Sequence, residues 1–269
     1  MPSLTTTVLE VRPETADAST LRLRADPAAF SYRPGQYLMI DPHQFTELEP
    51  AIRKRESERG RPEGPGYFAL SSDGLEAGVL EITVKAKRTQ AGGSPLGPFL
   101  ARGLAPGRTV ALTGPTGRYC LPESPPDGVT GYLHLCAGGG VAPNRGMIRH
   151  ALGRGWPQRH LLILQDKTEE DMLFAAEWAD LERRSGGRFR LRKVYSVTRR
   201  EYVSPELLRR EMEGFLDPST AIALVCGPNV LRDGQAGFVD RWCGDREGKR
   251  PGELQSVGFS PDRVLTERG

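Results

Sequence analysis

Cysteine and histidine are scarce in this sequence of 269 residues, and long apolar runs are missing. The four cysteines and four histidines are scattered, with no C-x-x-C spacing. This spacing supports neither a zinc site nor an iron–sulfur cluster, so we predict no metal site and interpret each histidine as a surface or hydrogen-bonded side chain. No apolar run approaches the ~20 residues that a membrane-spanning helix needs, so we expect no membrane partner.

A large excess of charge of one sign is also missing. The net charge of +3 is too small to indicate a nucleic-acid partner. The 37 basic residues comprise 31 arginines and six lysines; a codon-composition bias explains this skew, and anion binding is the alternative. The opening residues, MPSLTTTVLE, lack the basic and apolar regions of a secretory signal. We therefore expect a cytoplasmic protein.

The first third of the chain shows the alternation of apolar and polar residues that is typical of antiparallel strands. In STLRLRA, Leu21 and Leu23 would lie on one face of a strand and Arg22 and Arg24 on the other. Similar short segments are TTTVLEV, SYRPGQYLMI, GVLEITVKAK and GRTVALTGPTG. Short strands between glycine and proline turns predict a small antiparallel β-barrel or sandwich.

A charged insertion at about 43–64 interrupts this pattern. Its densest part, ELEPAIRKRESERGRPEG, ends in proline and glycine. We interpret it as a solvated helix or a flexible insertion, with a docking surface for a partner as the alternative.

The periodicity changes after LPESPPDGVTG, which has the composition of a linker. Beyond it, the compact apolar runs YLHLCA, HLLILQD, RFRLRKVYSV and TAIALVCG alternate with helical stretches. Strands that alternate with helices predict a parallel sheet with helices on both faces. We therefore predict two domains, an antiparallel β-barrel over 1–126 and an α/β domain over 127–269.

Two of the helices carry start signals. We predict that one begins at Thr168, as N-cap with Asp171 three residues on, and that it turns four side chains inward: Met172, Leu173, Ala176 and Leu181. Another begins with Ser204 as cap and Pro205 at the first helical position.

A glycine-rich turn follows the first of the later strands, in LHLCAGGGVAPNRGMI. It is not a G-x-G-x-x-G fingerprint, because Pro143 stands where the third glycine or alanine would be, and no Gly-Lys-Ser/Thr follows. Glycines without Cβ atoms let a diphosphate or a ring approach the backbone, and Pro143 favours the start of a helix, whose N-terminus attracts anions. Alone, this pattern is equally compatible with a plain tight turn.

The motifs after successive strands agree jointly with a known family. GGGVAP, LQDKTEEDMLFAAE, VYSVTRRE and LVCGP resemble, in order and placement, the nucleotide half of the ferredoxin–NADP reductase family. YRPGQYLMI, EITVKAK with AGGS, and ALTGPTGRY are similar to the flavin barrel of the same family. The ending, GFSPDRVLTERG, resembles that of oxygenase-associated members. The resemblance covers nearly the whole chain and implies FAD and NADP as cofactors.

The resemblance also implies a nucleotide site. The residues expected against the nicotinamide and the diphosphate are Gly138, Gly139, Gly140, Val141, Ala142, Pro143, Asp166, Gly227 and Pro228. Cys226 would be the catalytic residue that positions the nicotinamide for hydride transfer to the flavin, although its pattern alone also suits a small buried side chain. Ser196, Thr198 and Arg199 stand where this family binds a 2′-phosphate, and no acidic residue ends that strand. NADP is therefore favoured, with NAD possible.

In the barrel, the resemblance implies contacts with the flavin and its diphosphate. The implied residues are Gln36, Tyr37, Phe68, Ala69, Leu70, Ser71, Val84, Lys85, Ala86, Gly92, Gly93 and Ser94. Two departures stand in GYFALSS: Gly66 replaces an arginine that would bind phosphate, and Ala69 replaces a hydroxyl near the reactive edge of the flavin. Loss of a charge-assisted bond to phosphate would weaken flavin binding by about 1.5–3 kcal/mol.

These features predict an FAD-dependent NAD(P)H oxidoreductase. It would pass hydride from NADPH to flavin, and electrons on to a separate acceptor, which would be ferredoxin, an oxygenase component or a small molecule. Two alternatives stay open. One is a flavin reductase that holds its flavin loosely, and the other is a regulatory or adaptor subunit on the same fold.

Overall fold

The computed structural model describes residues 3–86, 93–228, 237–244 and 251–268, which fold into two compact units. The first unit consists of Met1–Cys120 with Arg145–Met147. The second consists of Leu121–Asn144 and Ile148–Gly269.

The first unit is built on a six-stranded antiparallel sheet of order β4-β3-β6-β1-β2-β5. Its strands are β1 (Ser3–Thr15), β2 (Ala18–Arg24), β3 (Tyr37–Ile40), β4 (Gly66–Ala69), β5 (Val79–Lys85) and β6 (Thr109–Thr116). Leu21 and Leu23 are fully buried, whereas Arg24 is exposed. This confirms both the predicted alternation and the predicted barrel-like fold, since alternate residues of a strand point to opposite faces.

Two helices belong to this unit, α1 (Glu49–Arg59) and α2 (Leu96–Arg102). The charged insertion therefore forms a helix, which ends at Gly60 in the left-handed conformation. One side of α1 is buried through Ile52 and Arg55, and the rest is solvated. The helix α2 was not predicted from the sequence, because its Gly97 and Pro98 are poor helix formers.

The second unit is built on a five-stranded sheet of order β11-β10-β7-β8-β9, in which every recorded pairing is parallel. Its strands are β7 (Gly131–Ala137), β8 (Arg159–Asp166), β9 (Phe189–Tyr195), β10 (Ala221–Gly227) and β11 (Val264–Arg268). The first four are the predicted apolar runs. The edge strand β11 was not predicted, because VLTER is short and mostly polar.

Helices cover both faces of this sheet, as predicted. They are α3 (Val141–Gly153), α4 (Ala175–Arg184), α5 (Pro205–Met212), α6 (Phe238–Cys243) and α7 (Glu253–Ser256). Leu133 and Leu135 of β7 belong to a core that includes residues of α5, α6 and α7. Between them, His134 points to the opposite face and hydrogen-bonds Asn144 of α3. A buried core on each face is what makes parallel strands apolar throughout.

The helix predicted to begin at Thr168 was placed wrongly. The Thr168 hydroxyl donates to the Asp171 carboxylate at 3.1 Å within a run of turns, and α4 begins only at Ala175. Phe174, just before it, has a left-handed φ of 61°, which an L-residue rarely adopts and a right-handed helix cannot include. Ala176 is exposed, and the large side chain turned inward is Trp178.

The other predicted helix start is confirmed. The Ser204 hydroxyl accepts a hydrogen bond from the Leu207 N–H at 3.2 Å, and Pro205 is the first residue of α5. Across the described ranges, no helix is both long and apolar enough to span a membrane. The same ranges hold no cluster of three or more histidine, cysteine or acidic residues that could ligate a metal ion.

Candidate functional site

Four polar or glycine-rich segments meet at one edge of the second unit's sheet. The strands β10, β7, β8 and β9 are parallel neighbours and end at Gly227, Ala137, Asp166 and Tyr195. Each predicted nucleotide-binding segment begins at or just after one of these ends. Ligands of open α/β sheets bind outside the carboxyl ends of the strands, so this edge is the candidate site of the second unit.

The glycine turn between β7 and α3 leaves backbone open to a ligand. A Cβ atom built on Gly138 or Gly139 would meet no atom within 4 Å. One built on Gly140 would lie 2.3 Å from the carbonyl oxygen of Cys226. The first two glycines therefore leave room for a ligand, whereas the third lets α3 approach β10. Val141 and Ala142 are buried in the first turn of α3, so their side chains do not face a ligand there.

Cys226 lies beside the glycine turn with its thiol held neutral. Burial raises the pKa of the Cys226 thiol, and the nearby charge of Glu267 raises it further. Glu267 of β11 is in register with Cys226, and burial raises the pKa of its carboxyl as well. A neutral buried thiol is neither a base nor a strong nucleophile, so Cys226 can act only by contact and position. Glu267 was not predicted as a site residue, because its strand β11 carries no local strand pattern.

A buried hydrogen-bonded chain runs from the sheet to the glycine turn. The Asn144 amide donates to the Gly140 carbonyl at 3.0 Å, and its oxygen accepts from Nδ1 of His134 at 2.8 Å. Nε2 of His134 then accepts from Nδ1 of His160 at 3.0 Å. Burial lowers the pKa of His134 to about 4 and lowers the pKa of His160 well below its usual value, so both rings are neutral. These hydrogen bonds hold the Gly140 carbonyl in place through side chains that do not change charge near pH 7.

The ends of β8 and β9 bring Asp166 and Ser196 together. The N–H and hydroxyl of Ser196 donate to the Asp166 carbonyl at 2.9 and 3.2 Å. Thr198 and Arg199 are exposed, and the Arg199 guanidinium lies 5.1 Å from the Tyr195 ring centre. Among the residues that the structure describes, no carboxylate forms an ion pair with Arg199. The positive charge of Arg199 therefore faces solvent, where an anionic ligand can reach it.

The remaining nucleotide candidates also lie at this edge. Pro143 is buried in the first turn of α3, Gly227 is buried against Phe238, and Pro228 is exposed.

In the first unit, β3 and β4 place the predicted flavin residues side by side. Tyr37 pairs with Ala69, and the Gln36 carbonyl accepts from the Leu70 N–H at 2.8 Å. Gln36 itself precedes the strand, which begins at Tyr37. The rings of Tyr37 and the exposed Tyr67 meet edge to face at 5.7 Å. Half-buried Phe68, paired with buried Leu38, points to the opposite face of the sheet and packs against the core of the unit.

Several other flavin candidates are buried. Leu70 and Ser71 are fully buried, and the Ser71 hydroxyl accepts from Thr83 at 3.0 Å. Val84 and Ala86 are buried as well. The Lys85 ammonium lies 4.0 Å from the Asp17 carboxylate. Gly93 and Ser94 are exposed, and Gly92 lies outside the described residues.

A side chain at position 66 would meet two neighbouring side chains. A Cβ on Gly66 would lie 2.7 Å from the Phe68 ring and 2.8 Å from Leu96. An arginine there, as the resemblance leads one to expect, would require the side chains of Phe68 and Leu96 to shift. The predicted phosphate donor Ser94 hydrogen-bonds the carboxylate of Glu63, which also pairs with Arg55.

Comparison with known proteins agrees with this architecture. Residues 135–236 match the model of the oxidoreductase NAD-binding domain. The chain is 30% identical over 179 residues to an NADPH oxidoreductase of Mycobacterium tuberculosis, a match that covers 65% of this chain and 41% of that protein. It is 29% identical over 219 residues to ferredoxin–NADP reductase B of Sorangium cellulosum, covering 76% and 77%. The chain thus spans about two fifths of the length of the mycobacterial relative.

A solved structure has the same fold. The cytochrome P450 reductase of Amycolatopsis superposes with a TM-score of 0.69 at 24% identity, over 99% of this chain and 69% of that one. The antiparallel flavin-type barrel and the parallel nucleotide-type sheet define a two-unit flavoprotein reductase fold. The chain is thus similar to ferredoxin–NADP reductase-like proteins in fold and sequence, and its residues 135–236 match the oxidoreductase NAD-binding domain.

Proposed function

We propose that this chain is an FAD-dependent NAD(P)H oxidoreductase that passes electrons to a separate acceptor. The observation that carries the proposal is the open glycine turn packed against Cys226, at an edge where four parallel strands end. When bound, the flavin supplies the chemistry, since it accepts a hydride from reduced nicotinamide and returns electrons singly or in pairs.

The residues of the second unit fit a nicotinamide dinucleotide. Gly138 and Gly139 leave backbone N–H groups and open space for a diphosphate beside the N-terminus of α3. Asp166 and Ser196 would line the adjoining ribose, and Thr198 with Arg199 would bind a 2′-phosphate. We therefore propose NADPH as the preferred donor.

Cys226 and Glu267 would position the nicotinamide ring. The neutral thiol of Cys226 contributes shape and a weak hydrogen bond, and in-register Glu267 adds a carboxyl beside it. Because hydride transfer depends steeply on the distance and angle between the reacting atoms, such positioning controls the rate without any proton transfer from these groups.

The residues of the first unit fit an isoalloxazine ring. Tyr37 and Tyr67 provide aromatic surface along β3 and β4. The acceptor of the electrons is a partner protein or a small molecule. Relatives are named for ferredoxin and for cytochrome P450, so we propose a redox protein of this kind as the acceptor.

A visible spectrum of the purified chain, followed by anaerobic titration, tests the proposal. With FAD added, NADPH should bleach the flavin absorbance, and NADH should do so at a higher concentration. If neither nucleotide bleaches the flavin, the chain is a binding or adaptor subunit.

A second candidate is a flavin reductase that releases its flavin in each cycle. Gly66 in place of a phosphate-binding arginine, together with Ala69, favours weak flavin binding. Equilibrium dialysis distinguishes the two: a flavin lost at micromolar concentration supports the reductase, and a flavin retained at nanomolar concentration supports the electron-transfer enzyme.

A further inference from the structure

Donors from two segments converge on the carboxylate of Glu63. Arg55 donates to its two oxygens from Nε at 3.1 Å and from Nη2 at 3.3 Å. Arg59 approaches from α1 at 3.5 Å, and the hydroxyl of Ser94 hydrogen-bonds the same carboxylate. The side chains of Arg55 and Glu63 are only 10% and 8% exposed. Arg55, Arg59 and Ser94 therefore form a receptor for an anion, and the anion that occupies it is the carboxylate of Glu63.

The loop that carries Glu63 is held in place by its backbone. Gly60 ends α1 in the left-handed conformation, which turns the chain back along the helix. The N–H of Glu63 then donates to the Glu56 carboxylate at 2.8 Å. Because the loop is anchored at Gly60 and at the N–H of Glu63, its backbone places the Glu63 carboxylate beside Arg55.

The receptor lies next to the position where the expected phosphate ligand is missing. Gly66 follows Glu63 by three residues and packs against Leu96, which in turn follows Ser94 by two. Position 66 carries no guanidinium, but Arg55 of the insertion brings one to Glu63, three residues before it. The guanidinium fork binds a carboxylate and a phosphate with the same bidentate geometry.

We propose that Arg55, Arg59 and Ser94 form the receptor for the diphosphate of FAD, and that Glu63 is a tethered anion which competes for it. This inference rests on the proposed function. The diphosphate would have to displace the Glu63 carboxylate, so the chain would bind FAD less tightly than a variant that lacks this charge. Riboflavin has no phosphate, and its binding would be independent of all four residues.

The binding of FAD and of riboflavin to matched variants tests this proposal. By equilibrium dialysis, Glu63→Gln should bind FAD about tenfold more tightly and Arg55→Gln about tenfold more weakly, the size expected for one charge-assisted bond. Riboflavin affinity should change less than about twofold. Glu58→Gln and Arg53→Gln are controls on the exposed side of α1, and they should leave both affinities unchanged.

Thermal unfolding separates the proposal from a purely structural role. Glu63→Gln leaves a buried guanidinium without its carboxylate, so the free variant should melt lower and gain more from FAD than the wild type does. Arg55→Lys keeps a cation and should recover part of the FAD affinity that Arg55→Gln loses.

Two results would overturn the inference. The first is that Glu63→Gln binds FAD no more tightly than the wild type does. The second is that Glu63→Gln loses affinity for both FAD and riboflavin. Both leave the proposed function intact if the wild type is reduced by NADPH. A wild type and variants that all fail to bind FAD would overturn the inference and the proposed function together.

Discussion

Single residues at this site act by shape and by fixed charge. Cys226 is a neutral thiol because burial raises its pKa, and Gly140 is small because the Cys226 carbonyl lies against it. Arg199 keeps its charge toward solvent, beside the Tyr195 ring. In the proposed site, Cys226 and Gly140 would position the nicotinamide, and Arg199 would select between NADPH and NADH.

Arg199→Gln tests the preference for NADPH. Loss of a charge-assisted bond to the 2′-phosphate should raise the KM for NADPH about tenfold or more and leave that for NADH unchanged. Steady-state reduction of a dye with each nucleotide measures both values. Arg183→Gln, on the exposed face of α4, is the control. Equal effects on NADPH and NADH would contradict a 2′-phosphate contact.

Two neighbouring glycines should respond differently to alanine. Gly140→Ala places a methyl group 2.3 Å from the Cys226 carbonyl and should destabilise the fold by about 1–3 kcal/mol. Gly139→Ala meets no atom of the chain within 4 Å, so its stability should change by less than about 0.5 kcal/mol while dinucleotide binding weakens. Urea unfolding and nucleotide titration measure the two effects. Tight nucleotide binding by Gly139→Ala would show that the ligand does not contact this turn.

At the scale of elements, side chains from separate segments hold each site in shape. The Asn144–His134–His160 chain links α3 to β7 and β8 on one face of the parallel sheet. In the first unit, His43 bridges the carboxylates of Asp41 and Glu56, and so ties α1 to the turn before it.

Asn144→Ala should loosen the glycine turn. It leaves the His134 N–H and the Gly140 carbonyl without the amide between them, so we expect a loss of about 1–3 kcal/mol of stability and weaker dinucleotide binding. Urea midpoints and nucleotide titrations are the measurements, with Arg154→Gln at the exposed end of α3 as control. If Asn144→Ala is less stable but binds the nucleotide with unchanged affinity, these hydrogen bonds have only a structural role.

His43 should make the stability of the first unit depend on pH. Its pKa is raised mainly by the hydrogen bond to Asp41, and then by that to Glu56. A raised pKa means that the stabilisation is fully present below the unfolded value of about 6.5 and is lost as the pH rises through the folded pKa. Urea midpoints at pH 5.5 to 8.5 should fall more steeply in the wild type than in His43→Gln. Parallel curves would contradict this role.

At the scale of the whole molecule, the two units have different cores and different proposed ligands. A ligand that binds only the folded state stabilises it by mass action, by about 2.7 kcal/mol at one hundred times its Kd. FAD should slow hydrogen exchange in β3 and β4, whereas NADPH should slow it after β7 and β9. Protection of only the second unit by FAD would place the flavin elsewhere.

Much of the fold was predictable because its signals are local. The alternation of Leu21 and Leu23, the Ser204 cap and the four apolar runs depend on neighbours within a few residues. The turn before α4 was not predictable in this way, because the Thr168 hydroxyl binds Asp171 in a run of turns and Phe174 adopts a left-handed φ. The polar edge strand β11 is a strand only because β10 is beside it.

For this protein, the sequence alone determined the class of fold, the order of its motifs and the glycine turn. Only the tertiary structure decided that Glu267 lies in register with Cys226, that Asn144 holds Gly140, and that Arg55 binds Glu63 near Gly66. The physical reason is that periodicity and capping act over a few residues of chain. Contacts between residues far apart in the sequence depend on how strands and helices pack, which no local pattern encodes.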